Sequence, residues 1–175
     1  MKKFLLFAFA MIAVAIAFPQ KVSAQKFALV DMEYILSKIP AYEMASQQLD
    51  QFSQRMQKEV EAKALEAEKL YKDYQAEMVY LTADQKKARE AQIVTKEKEV
   101  SALRTKYFGP EGDLFSVRQK LMEPIQESIY EAVKKVAEER GYQCIFDRAS
   151  SSDIIFASPR IDVSSEVLDK LGYSK

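Results

Sequence analysis

Between Ala41 and Lys106 the chain contains neither glycine nor proline, and most of its residues are Ala, Glu, Lys, Gln, Leu or Met. These are strong helix formers. The stretch therefore folds as long helix, and its one credible turn is Leu81-Thr82. A rod of this length cannot wrap around its own core. It must return on itself as a hairpin and stand on something else. The expected fold class is α+β and predominantly helical, with a long antiparallel helical hairpin projecting from a small β-strand body.

The first arm is expected from Ala41 to about Tyr80. At about 1.5 Å per residue, forty residues make a rod of roughly 60 Å. Apolar or small residues recur at Ala45, Leu49, Phe52, Met56, Val60, Ala64, Ala67, Tyr71, Tyr74, Met78 and Leu81, in steps of three and four. That is close to a heptad seam, with a slip between Phe52 and Ala64 where steps of four follow one another. The alanines make the seam thin, and a thin seam predicts a bendable rod.

Thr82 followed by Gln85 forms a capping box, which starts a second helix. Ile93, Val100, Leu103 and Tyr107 form its stripe. Residues 82–107 carry net charge +3 and residues 41–81 net −3. The arms therefore attract one another, although exposed pairs contribute only ~0.2–1 kcal/mol each. Gly109-Pro110-Glu111-Gly112 interrupts the return, either as a simple loop or as a hinge. Helix resumes at Asp113 and runs to Arg140, with Leu114, Val117, Leu121, Ile125, Ile129, Val133 and Val136 as its stripe, Pro124 inside it and Gly141 as its C-cap.

Short apolar runs flank the hairpin. Phe27 to Asp31 reads as a strand, and so does Tyr142 to Asp147. Ile154 to Ala157 is expected to pair with the latter as a β-hairpin across Arg148 to Asp153. Ser164 is expected to cap a last helix closed by Gly172. Three short strands bury little surface alone. The body, residues 25–40 and 141–175, is therefore expected to oligomerise, with Phe27, Leu29, Val30, Ile145, Phe146 and Ile155 as the contact residues. The helical hairpin spans 41–140, with its tip near 81–84 and its break at 109–112.

Residues 1–24 read as a secretory signal peptide. Lys2 and Lys3 precede an apolar run from Phe4 to Phe18, and Val22-Ser23-Ala24 supplies small residues for cleavage after Ala24. The apolar run is shorter than the roughly 20 residues that span a bilayer. Without Lys2, Lys3 and Lys21, the remainder has 23 basic and 26 acidic residues, net −3. Nothing in that balance points to nucleic acid. The expectation is an exported protein, periplasmic in a bacterium with two membranes.

Histidine is absent, and Cys144 is the single cysteine. Nucleophile systems that rely on histidine are thereby excluded, as is an internal disulfide. Cys144 is expected to be a small buried strand residue. No phosphate-binding loop, dinucleotide fingerprint or metal-ligand spacing is present. Asp31, Asp147, Asp153 and Asp162 lie near strand ends and could cluster, but acidic residues there are more often solvated turn residues. The chain is expected not to be an enzyme and to need no cofactor.

The whole order resembles the Skp/OmpH family of periplasmic chaperones. The features that carry the resemblance are the leader, Phe27-Ala28-Leu29-Val30-Asp31, the Lys/Glu/Gln-rich hairpin with its Leu81-Thr82 tip, Gly141-Tyr142 leading into Ile145-Phe146-Asp147, and the closing Asp162 to Leu168. The resemblance implies a homotrimer built on a small strand barrel. Three tentacles would enclose unfolded outer-membrane proteins and keep them soluble without ATP. The chain departs from the family at Gly109–Gly112, a sharp break, and in its basic tip, reduced to Lys86, Lys87 and Arg89, which could touch a membrane surface or lipopolysaccharide.

Candidate client-binding residues are Met56, Leu65, Leu70, Met78, Tyr80 and Ile93. For Met56, Met78 and Ile93 the favoured reading is packing between the arms. Leu65 and Leu70 lie off the stripe and are the better candidates for exposed contacts. The alternative to a holdase is a structural or adaptor coiled-coil protein of the cell envelope.

Overall fold

The structure is a computed structural model that describes residues 26–151 and 153–173; the expected leader lies outside them. The chain runs β1 (Phe27–Val30), α1 (Met32–Ser37), α2 (Pro40–Glu77), α3 (Ala83–Phe108), α4 (Asp113–Arg140), β2 (Cys144–Asp147), a 3-10 turn (Pro159–Ile161) and α5 (Ser164–Leu171). It is α+β, mostly helix, with two strands.

Local chemistry sets the helix ends. Pro40 sits in the first turn of α2, where its missing N–H costs nothing. Thr82 caps α3, and the Gln85 side chain reaches back to the Thr82 N–H, so both halves of the capping box form. Gly141 ends α4 in the left-handed conformation at φ 71°, which glycine adopts without Cβ strain. Pro124 leaves α4 a single element.

The return of the hairpin is built in two lengths. Outer α2 packs against α3, and the root of α2 packs against α4. At the break, the Gly109 N–H donates to Thr105 O at 2.8 Å and the Gly112 N–H donates to Gly109 O at 2.9 Å. Neither glycine has a positive φ. They are required for space: a Cβ on Gly112 would stand 2.8 Å from the carbonyl oxygens of Lys106 and Tyr107.

The strands pair differently from the sequence expectation. β1 and β2 are parallel neighbours, with Ala28 opposite Ile145 and Leu29 opposite Phe146. Residues 154–157 form no strand, so the expected β-hairpin with 142–147 does not exist. Instead Asp162–Val163 lies along the other edge of β1, where the Val163 N–H donates to Leu29 O at 2.9 Å. A parallel pair requires a crossover, and the entire helical hairpin serves as that crossover. Ser164 also differs from expectation. Val163 takes the cap position, and Ser164 is the first helical residue.

One face of β1, Ala28 and Val30, joins Ile35, Ile39, Ile129, Ala132, Val136, Val163, Val167 and Leu168 in the core. Alternation along the strand sends Phe27 and Leu29 to the opposite face.

Candidate functional site

Two surfaces stand out, the arms and the outer face of the body. On outer α2 the half-buried or buried residues include Phe52, Met56, Val60, Lys63, Ala64, Ala67, Leu70 and Tyr74. The run of fours from Phe52 through Met56 and Val60 to Ala64 is kept, and Lys63, Ala67, Leu70 and Tyr74 carry the seam onward in fours and threes. Leu70 thus lies in the seam, beside Ala91, Gln92, Thr95 and Lys96 of α3. Tyr71, expected in the seam, is exposed. On α3 the matching series is Lys86, Arg89, Ile93, Lys96, Val100, Leu103 and Tyr107, in which only Ile93 and Tyr107 are buried. Burying one Val or Ile fully is worth about 1.5–3 kcal/mol. Val60, Ala67, Ile93 and Tyr107 therefore give the outer hairpin a weak apolar seam.

Polar contacts cross that seam. The Tyr107 hydroxyl donates to Glu59 at 2.8 Å, the Tyr74 hydroxyl donates to Glu90, and Arg89 donates to Glu77 at 3.3 Å. The bond to Glu59 raises the Tyr107 pKa, helped by burial and by the charges of Glu59 and Asp113, because each disfavours a phenolate. The bond to Glu90 acts in the same way on Tyr74.

The candidate client-binding residues divide by this geometry. Leu65 is 59% exposed and Tyr80 87%, with Val79 beside it at 74%. Met78 is exposed at the end of α2. Met56 and Leu70 are half-buried, and Ile93 is buried between the arms. Lys86 and Arg89 lean on the seam, whereas Lys87 is exposed. Sequence reasoning missed Val79, Phe115 and the root groove. That groove, about 540 Å³, lies between Met32, Leu36 and Tyr42 on one side and Phe115, Met122 and Ile125 on the other. Its α4 side could have been found from Phe115 and Met122, which stand one heptad apart.

On the body, Phe27 and Phe146 meet edge to face at 6.5 Å and remain half exposed. Cys144, expected to be buried, is exposed beside them, because its strand position faces away from the core. Ile155 and Phe156 are 99% and 85% exposed. Among the candidate contact residues, Val30 is buried in the chain's own core, Ile145 packs against that core, and Leu29 is buried on the other face.

The strand-end acids do gather, and they serve the fold. Asp31 caps α1 through the Tyr34 N–H and accepts from Arg148 at 2.8 Å; Arg148 also lies 3.5 Å from Asp162. Ser164 accepts from the Asp31 N–H at 2.8 Å and donates to Asp162 at 2.6 Å. Asp147 accepts from the backbone N–H groups of Met32 and Ala149. Partial burial pushes the Asp147 carboxyl up, but hydrogen bonds from Ser150, Met32 and Ala149 outweigh it and hold the group below its ordinary value. Asp153 is exposed in the turn beyond β2. Among the described residues no cluster of three or more acidic or cysteine side chains could hold a metal ion, and no helix is long and apolar enough to cross a membrane.

Residues 26–171 match the family described as outer membrane protein (OmpH-like). The chain is 27% identical over 167 residues to the chaperone protein Skp of Yersinia enterocolitica, covering 93% of this chain and 95% of that protein. Its fold is similar to that of a putative outer membrane chaperone (OmpH-like) from Caulobacter crescentus CB15, with a TM-score of 0.64, 12% identity and 85% of each chain covered.

Proposed function

Because the chain belongs to the OmpH-like outer membrane protein family, we propose that it is a periplasmic holdase. It keeps unfolded outer-membrane proteins soluble, without ATP and without catalysing a reaction. The observation that supports this most is the distribution of exposed apolar residues. Leu65 and Tyr71 stand singly along a charged rod, and Met78, Val79 and Tyr80 gather only at its end, so no continuous patch runs along the arm. A rigid partner of fixed shape would call for a continuous, complementary surface. Scattered, adaptable contacts suit a chain without fixed structure.

In this reading the leader directs export and is removed after Ala24. The body assembles as a homotrimer through Phe27, Phe146 and Ile155, whose exposed rings and side chain would be covered by other copies. Three arms then bound a cavity. A client's apolar segments meet Leu65, Tyr80 and Met78 there and are kept from one another, which slows aggregation. Release needs no hydrolysis, since each contact is weak. Lys86, Lys87 and Arg89 put positive charge near the tip, where a membrane surface or lipopolysaccharide could be met.

The test is the solution mass of residues 25–175 by light scattering, alone and with an unfolded outer-membrane barrel protein diluted from urea. A trimer that takes up the client in a soluble complex is expected. A monomer, or a trimer indifferent to the client, would overturn the reading in favour of an envelope scaffold.

A further inference from the structure

The seam of the outer hairpin is polar in an unusual way. The heptad positions of α3 that face α2 include Arg89 and Lys96, and Lys63 occupies an equivalent position on α2. Cations at such positions ordinarily pair across the interface or weaken it. With Lys86, the seam holds four cations, and two of them are neutralised on their own helix. Lys63 pairs with Glu66 at 3.0 Å, and Lys96 with Glu99 at 2.7 Å. Of these cations, Arg89 bonds a carboxylate on the other arm, Glu77, while Lys96 and Lys63 feel the charges of Glu66 and Glu99 across the seam only at longer range. Separating the arms therefore leaves Lys63 and Lys96 each paired on its own helix; it breaks the bonds of Tyr74, Arg89 and Tyr107 across the seam and uncovers only a few buried apolar residues, Val60, Ala67, Ile93 and Tyr107.

The ends of α3 allow such a separation. Its N-terminal end follows a short non-helical turn after α2, and its C-terminal end meets the break at Gly109–Gly112. The body has none of these features. Its core joins β1 to α1, α4 and α5 through ten buried residues, including Ile35 and Val167 at 0% exposure, with Ile145 of β2 packed against them.

We propose that α3 opens away from outer α2 along this internally neutralised seam as a unit, while the body and α4 stay folded. The opening widens the apolar surface on the arm by exposing Ile93, Ala67 and Leu70. It belongs to the hairpin itself and does not depend on the holdase reading. It can be measured with no client present, so the two ideas fail separately.

The experiment is hydrogen exchange with mass spectrometry on the mature chain. Amides of residues 83–108 are expected to exchange about 100-fold faster than those of residues 129–136. In a Cys144→Ser background, Tyr74→Cys and Glu90→Cys joined by a short bismaleimide should slow exchange over 83–108 about tenfold and leave 129–136 unchanged. A second variant, Lys63→Leu with Lys96→Leu, replaces the two internally paired cations by carbon, keeps the Arg89 contact with Glu77, and should slow the same amides without a cross-link. Equal exchange in α3 and α4, or no slowing in either variant, would overturn the proposal.

Discussion

The Tyr107 hydroxyl donates to Glu59 at 2.8 Å across 48 residues of sequence. This contact fixes the end of α3 to the middle of α2 beside the Gly109–Gly112 break. Tyr107 is itself buried, with its ring edge-on to Phe108. Tyr107→Phe keeps the ring and removes the bond. It should lower the thermal midpoint by a few degrees and raise exchange over residues 100–108. Tyr107→Ala should do more, because it also opens a hole in the seam. Circular dichroism and hydrogen exchange on the two variants check the order.

Ile35 is fully buried at the junction of α1 with the body core. Ile35→Ala should destabilise the protein by about 2–5 kcal/mol. Urea unfolding at fixed protomer concentration reads the change, since any self-association adds to apparent stability.

Asp147 has a folded pKa below its ordinary value of 3.8. A carboxyl depressed in the folded state contributes stability above its unfolded pKa, and that stability is lost as pH falls through the folded value. The urea midpoint of the wild type should therefore drop below about pH 4. Asp147→Asn should be less stable at pH 7 and show a shallower loss between pH 5 and pH 3.

Leu65 and Tyr80 are exposed on the arm and at its tip and take no part in the seam. Leu65→Ser with Tyr80→Ser should leave solution mass and helix content unchanged. It should weaken client binding by about tenfold, equivalent to 1.4 kcal/mol. Leu70→Ser should differ from this pair by also speeding exchange in α3, because Leu70 lies against Ala91 and Lys96. Aggregation assays with an unfolded barrel protein separate the two cases.

Gly112→Ala places a Cβ 2.8 Å from two backbone carbonyl oxygens, so the break must shift. Gly141→Ala meets nothing within 4 Å but carries φ 71°. The second should cost about 1 kcal/mol through backbone strain. The first should cost about 1–3 kcal/mol through overpacking and disturb the contact between Tyr107 and Glu59. Unfolding midpoints together with exchange at 100–108 discriminate the two mechanisms.

The long helices, most of their ends and the hairpin follow from sequence alone, because each depends on residues within one or two turns; the start of the last helix, capped at Val163 and not Ser164, is the exception. Thr82 needs only Gln85 to form its capping box, and Gly141 needs only the end of α4. The absence of glycine and proline over Ala41–Lys106 dictates the rod in the same local way. The tertiary structure decided two further matters. A four-residue strand carries too little pattern to choose its partner, so the pairing of Phe27–Val30 with Cys144–Asp147, across more than a hundred residues, rests on the core that α1, α4 and α5 share. The seam turned on a single residue step. Leu70 and Tyr71 lie about 100° apart on the helix, and the facing α3 determined that Leu70 packs inward while Tyr71 meets solvent.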